Sequence, residues 1–307
     1  MKVIYDIQEE LTQPCVATIG FFDGVHLGHQ YLIEQTKAIA KSKGLPSVLI
    51  TFSVHPRKVM HKDYQPELLS TTKEKIELLT RSGVDYCVML NFTPELSCMT
   101  AHEFMNQVLK EQLHLQVLVI GYDHRFGHNR AEGFEDYCRY GQEIGVEVVK
   151  AQAYMMNGVN VSSSVIRLLL QEGEVGMVTK CLGYNYYLDG KIVDGYKIGR
   201  KLGFPTANLQ VEEVNKLIPA DGVYAVKVKI GDNIWGGMLN IGHRPTLDNG
   251  TNRSIEVHIL DFSSDIYNQS MRITFVKRIR GEAKFRKIED LVAQLHRDEA
   301  EIRQALL

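Results

Sequence analysis

Between residue 15 and about residue 153 the chain alternates short apolar runs with longer amphipathic stretches. Cys15–Phe21, Ser47–Phe52, Tyr86–Asn91, Gln116–Gly121 and Glu147–Ala151 read as strands. Between them Leu32, Ile33, Thr36, Ile39 and Ala40 recur at helical spacing, as do Phe104, Val108 and Leu109. Such alternation predicts a parallel sheet covered by helices, with ligands at the carboxyl ends of its strands. After about residue 184 the period changes to two. Tyr224, Val226, Val228 and Ile230 share one face of a segment, and Ile255, Val257 and Ile259 do so in the next. Met271, Ile273 and Phe275 repeat the pattern, with Gly190, Gly195, Gly222, Gly231 and Gly250 between segments. A small antiparallel barrel or sandwich is expected. A closing helix would carry Ile288, Leu291, Val292, Leu295 and Ile302 on its apolar face. No repeat or low-complexity linker is visible, and Ser163–Leu182 reads as a helical joint. The expected class is α/β, with domains at 1–183 and 184–307.

Composition agrees with two domains. The 307 residues are 44% hydrophobic and 23% charged, enough apolar material for two cores. A net charge of −2, with both signs mixed along the chain, lacks the basic excess of a long nucleic-acid stripe. A compact anionic substrate is compatible. Five cysteines lie far apart without Cys-x-x-Cys spacing, as free thiols in a reducing compartment would. The first residues lack an apolar signal core, and no apolar run approaches the ~20 residues that cross a bilayer. A cytoplasmic protein is expected, without membrane or nucleic-acid partners, as a monomer or weak homo-oligomer.

The first candidate chemistry lies in Gly20-Phe21-Phe22-Asp23-Gly24-Val25-His26-Leu27-Gly28-His29, between the first strand and the first helix. Gly24 and Gly28 let the backbone turn tightly, and a helix N-terminus suits a phosphate. Two imidazoles three residues apart can add donors to a phosphoryl group. A metal pair or plain turn chemistry are the competing readings. Ser163 and Ser164 open a later helix, where serines commonly act as N-caps. Arg167, one turn in, suits bidentate phosphate contact.

The second candidate is Gly195-Tyr196-Lys197-Ile198-Gly199-Arg200-Lys201-Leu202-Gly203-Phe204-Pro205-Thr206-Ala207-Asn208. Glycines with basic residues suit a polyphosphate, although the spacing is not that of a Walker loop. Pro205 restrains the backbone before Thr206 and Asn208, which project to one side if the segment is extended. A hydroxyl and an amide oxygen are hard ligands that fit Mg²⁺ held with ATP phosphates. A barrel hairpin with an exposed basic turn is the plainer reading.

Phe22–His29 together with Ser163–Arg167 resembles the nucleotidyltransferase superfamily that carries a His-x-x-His signature. More narrowly it resembles the FMN adenylyltransferase module of the prokaryotic bifunctional riboflavin kinase/FAD synthetases. Thr51-Phe52-Ser53-Val54-His55-Pro56 and Val119–Gly127 match the same module, with Ser164 for the usual Thr and His124 for the usual aromatic. The resemblance implies a Rossmann-like domain binding ATP at Gly20, Phe21, Asp23, Gly24, His26, His29, Ser163, Ser164 and Arg167. His26, His29 and Arg167 would be catalytic, and Tyr122 would face flavin.

The Gly195–Asn208 string resembles the riboflavin kinase signature Gly-Arg-x-Leu-Gly-Phe-Pro-Thr-Ala-Asn. Gly222–Ala225, Asn240–Thr246 and Glu256–Phe262 agree with that family in order. This implies a barrel whose ATP site comprises Gly195, Lys197, Gly199, Arg200, Gly203, Pro205, Thr206 and Asn208. Thr206 and Asn208 would hold Mg²⁺. Glu256, by period alone an ordinary surface carboxylate, becomes the general base. Arg280 and Glu282 become flavin-side residues. Over roughly 15–305 the resemblance implies riboflavin, FMN, FAD and ATP as partners, with Mg²⁺ beside ATP and flavin as substrate and product. A kinase whose first half transfers another nucleotide or none, and a flavin-sensing protein, are the alternatives.

Overall fold

The computed structural model describes residues 1–5, 11–60, 63, 65, 67–122, 124–128, 131–156, 158–194, 199, 202–243, 253–264 and 266–307. They pack as two compact units, Met1–Ser163 and Ser164–Leu307.

The first unit is built on strands β1 (Lys2–Ile4), β2 (Cys15–Ile19), β3 (Ser47–Phe52), β4 (Tyr86–Leu90), β5 (Leu115–Ile120) and β6 (Glu147–Lys150). All five strand pairs are parallel, in the order β1-β4-β3-β2-β5-β6. The helices are α1 (Leu27–Lys43), α2 (Pro56–Met60), α3 (Thr72–Thr80), α4 (Pro94–Cys98), α5 (Ala101–Glu103) and α6 (Phe134–Ile144). A π-helix, Phe104–Gln112, prolongs α5. Every residue of β2 and β3 is buried, because both sheet faces are covered, and this is why these strands read as unbroken apolar runs. The expected strands are present, Ser47–Phe52 with the same bounds and the others with ends shifted by at most two residues. The three-residue β1 and a hairpin of β7 (Met155–Met156) and β8 (Val159–Asn160) are too short to leave a periodic signal. Strand order runs outward from β2 through β3 and β4 on one side, and through β5 and β6 on the other. The carboxyl ends of β2 and β5 therefore flank a topological switch point, where ligands of such sheets bind.

In the second unit, α7 (Ser163–Glu172), which begins at the last residue of the first unit, and α8 (Val175–Leu182) precede strands β9 (Tyr187–Val193), β10 (Ala207–Val211), β11 (Gly222–Ile230), β12 (Asn233–His243), β13 (Arg253–Ile259) and β14 (Ser270–Arg280). These strands close a barrel in the order β10-β13-β12-β11-β14-β9, every pair antiparallel. The barrel interior takes Tyr224, Val226, Val228, Val257 and Ile273 as the period predicts. Val223, Ala225, Met238 and Leu260 lie out of that phase and are also buried. The terminal helix α9 (Ile288–Leu306) explains them, since Ile302, Leu295 and Leu306 pack over these residues on the barrel wall. Ile288 corrects the expected helix face: it is 64% exposed, at the first residue of α9.

Candidate active sites

The turn after β2 is built from unfavourable backbone. Phe22 (φ 54°), Gly24 (φ 72°) and Val25 (φ 39°) are all left-handed, and for a β-branched valine this is a genuine outlier. The turn delivers His26 as the N-cap of α1, its Nδ1 accepting from the His29 amide at 3.3 Å. The two imidazoles stack with centroids 3.7 Å apart, and Phe22 meets His29 edge-on at 5.2 Å. Gly28 has a steric reason: a Cβ there would come within 3.1 Å of the His26 ring and 3.0 Å of the Val161 carbonyl. Ser163, the first residue of α7, donates from Oγ to the Asp23 carbonyl at 3.1 Å. The histidine turn and Ser163, 140 residues apart in sequence, therefore meet. Ser164 beside it is exposed, and Arg167 is half-buried four residues further along the helix.

Gly20 and Phe21 lead out of β2. Gly20 donates its N–H to Ile50 O, and the Phe21 ring takes the edge of His55 at 4.5 Å. Asp23 is buried, and its carboxylate accepts from Leu69 N, Ser70 N and Ser70 Oγ at 3.0 to 3.2 Å. It thus buckles the turn to a segment 46 residues away.

The His29 Nδ1 is buried with no hydrogen-bond partner among the described residues. Burial first, then His26, His124 and Lys75, hold the His29 imidazole well below its ordinary range, so it is neutral near pH 7. Its unfolded value is 6.5, so as pH falls the unfolded chain takes up this proton first. Stability of the first unit is therefore complete above pH 6.5 and declines below it. Thermal melts of wild type and His29→Gln from about pH 7 to about pH 5 check this; the variant's midpoint should fall less steeply.

In the barrel, Glu256 stands directly opposite Asn208 of β10 on one side and Asn240 of β12 on the other. Directly opposed residues project to the same face, so an amide flanks the carboxylate on each side. Thr206 donates from Oγ1 to Glu256 Oε2 at 3.5 Å, as expected if Thr206 and Asn208 share one side. Hydroxyl, amide and carboxylate oxygens form a hard donor set that fits Mg²⁺ better than a soft metal. Pro205 presents Thr206, and its carbonyl accepts from His258 Nδ1 at 2.8 Å, so that nitrogen carries the proton. His258 lies two residues beyond Glu256 on the same strand face. Gly199 O accepts from Leu202 N and Phe204 N, and Gly203 (φ 84°) completes the turn. Gly195, Lys197 and Arg200 lie outside the described residues.

The flavin-side candidates have distinct surroundings. Tyr122 is exposed after β5, with Lys150 Nζ 5.0 Å from its ring centroid. The Glu282 carboxylate lies against the Gly242 backbone. Arg280 grips Asp298 of α9 through Nε and Nη2 at 2.8 to 3.2 Å, and Gln294 donates to the same carboxylate. Asp298 is 2% exposed, so this pair pins α9 to β14. Arg280→Ala would strand a buried carboxylate and should cost about 3 kcal/mol in urea unfolding of the barrel.

Sequence reasoning passed over Lys75 and Ser70, and it included Asn240 and His258 only within family segments, without a role. Lys75 left a signal, since it shares the buried stripe of α3 with Leu78 and Leu79, and a cation on an apolar stripe is anomalous. His258 was legible by its period-two relation to Glu256.

A parallel sheet with paired histidines at its switch point, joined in one chain to a barrel with a Thr–Asn–Glu row, defines a two-part phosphate-transferring enzyme. The FAD synthetase family model matches residues 8–165, and the riboflavin kinase model matches residues 182–306. The chain belongs to the family of bifunctional riboflavin kinase/FMN adenylyltransferases. Proteins of that name are similar across bacteria. The Escherichia coli K12 protein is 33% identical over 99% of this chain and 96% of its own. The Listeria monocytogenes protein is 38% identical over 94% and 91%. A solved structure described as a macrolide-efflux protein from Streptococcus pneumoniae superposes with a TM-score of 0.88 at 30% identity, covering 98% of each chain. Among the described residues, no helix of this chain is long and apolar enough to cross a membrane.

Proposed function

We propose that the two activities divide between the two folds, adenylyl transfer in residues 1–183 and phosphoryl transfer in 184–307. The chain is an enzyme that phosphorylates riboflavin to FMN with ATP and adenylylates FMN to FAD with release of pyrophosphate. What carries the assignment of residues is that each motif set gathers on its own fold. The histidine turn and Ser163 meet at the end of the parallel sheet, and Thr206, Asn208 and Glu256 meet on the barrel.

In the kinase step the ribityl 5′-oxygen attacks the γ-phosphorus and the β–γ bridge bond breaks. Glu256 accepts the hydroxyl proton, held in place by Thr206 and flanked by Asn208 and Asn240. Mg²⁺, bound by Thr206 and Asn208 together with ATP, would neutralise phosphate charge. In the second step an FMN phosphate oxygen attacks the α-phosphorus of another ATP and pyrophosphate leaves. His26, His29 and Ser163 supply donors where negative charge builds up, so catalysis there is positioning and charge stabilisation, and Arg167 keeps its assignment as a phosphate contact. Asp23 acts by holding the turn. Tyr122, Arg280 and Glu282 remain flavin-side assignments, with Arg280 acting through its grip on α9.

Five free thiols support a reducing, cytoplasmic setting, and we expect a monomer or weak homo-oligomer. The direct test is turnover of riboflavin with Mg-ATP, followed by chromatography for FMN and FAD. Absence of FMN would sink the kinase assignment, and FMN without FAD would leave the first unit with another nucleotide or none.

A further inference from the structure

The strained turn of the first site is held by one segment, 69–75, through several polar contacts. Ser70 Oγ accepts from Gly24 N at 2.9 Å and donates to Asp23, whose carboxylate also takes the amides of residues 69 and 70. Lys75, 2% exposed, donates from Nζ to Phe21 O at 3.2 Å, Thr51 Oγ1 at 3.3 Å and Phe52 O at 2.9 Å. Its ammonium also lies 4.1 Å from the Phe21 ring centroid. One cation thus ties the chain leaving β2 to the end of β3. The segment is itself anchored, since Thr71 and Glu74 close a capping box at the start of α3. Three left-handed residues in four cost free energy and persist only where their surroundings over-determine them. A buried lysine is likewise costly unless its donors are used.

We propose that Lys75, with Ser70, is a positioning residue for adenylyl transfer, bracing the Phe21–Val25 turn so that His26 and His29 hold their stacked geometry. It rests on the assignment of adenylyl transfer to the first unit. Lys75 touches no reacting atom; it acts through Phe21 and the turn. The groups facing it are Asp23 on the turn, Cys87 on β4 and, beside the turn, His29 on α1, which His124 also faces. Burial pulls the Lys75 ammonium down to about 8, against the opposing pull of Asp23 and Cys87. The brace therefore weakens as pH rises past about 8. Stability moves the other way: the unfolded lysine keeps its proton to 10.5, so stability rises as pH climbs from about 8 to 10.5 and the fold sheds the buried charge.

The test uses the full chain, with FAD formation from FMN and FMN formation from riboflavin measured side by side. Lys75→Met, an apolar replacement of similar length, should lower kcat for FAD formation on the order of 10²-fold, the cost of a small misplacement of catalytic groups. The KM for FMN and FMN formation should stay near wild type, while the thermal midpoint drops by a few degrees because Phe21 O, Thr51 Oγ1 and Phe52 O lose their donor. In wild type the FAD-forming rate should fall from about pH 8 to about pH 9, while Lys75→Arg, charged throughout, should lack that alkaline limb. Retention of more than half the FAD-forming kcat in Lys75→Met would overturn the brace. So would FMN formation falling in parallel with FAD formation, or an alkaline limb unchanged in Lys75→Arg. If wild type forms no FAD at all, the assignment of the first unit fails instead, a result distinct from these.

Discussion

Glu256→Gln should lower FMN formation by about 10²- to 10⁴-fold, the usual contribution of a positioned general base. The substitution keeps the shape of the side chain, and an amide oxygen can still accept from Thr206 Oγ1, which now reaches Oε2 at 3.5 Å. The register that places Asn208 and Asn240 beside position 256 is set by backbone pairing and is untouched. What disappears is the capacity to take the hydroxyl proton as the oxygen attacks phosphorus. FAD formation from supplied FMN should be unchanged, because the histidine turn belongs to the other compact unit. Equal loss of both activities would refute separate sites. Coupled assays of riboflavin and FMN turnover on one preparation decide between these outcomes.

His29→Ala should do the reverse, lowering FAD formation by about 10²- to 10³-fold, as when one preorganised donor is lost from a transition-state site. His29 is the inner member of the pair: it stacks on His26, meets Phe22 edge-on and keeps a buried Nδ1. Burial, and then His26, His124 and Lys75, favour its neutral form. On the proposed assignment it would enter the reaction as a neutral donor whose affinity for a proton rises as negative charge builds on the phosphoryl group. Alanine removes the donor and the packing together, so FMN formation by the same protein is the control. A parallel fall in that activity would show that the division near residue 183 is misplaced.

The motifs exposed both sites to sequence reading because each is a short run tied to a turn: Phe22–His29 after a strand, and Phe204–Asn208 entering one. Their partners were less legible. Asp23 finds Leu69 and Ser70 46 and 47 residues away, Lys75 finds Phe21 at a separation of 54, and Arg280 finds Asp298 across 18. The charged groups of Arg280 and Asp23 also hold the framework, through contacts that residue type alone does not record. Glu256 is the opposite case, an ordinary surface carboxylate by period that the barrel register places between two amides.

The chain's periodicity by itself determined the parallel sheet, the period-two half and the turns that bear the histidines and the Thr–Asn pair. Those features follow from which faces must leave water, a property local to each element. Only the tertiary structure decided the second apolar wall beneath α9, the brace on the strained turn and the commitment of Arg280 to Asp298. These depend on which polar group meets which once the chain is closed. A buried donor or charge is tolerated only beside a partner, and no local period records where in the sequence that partner lies.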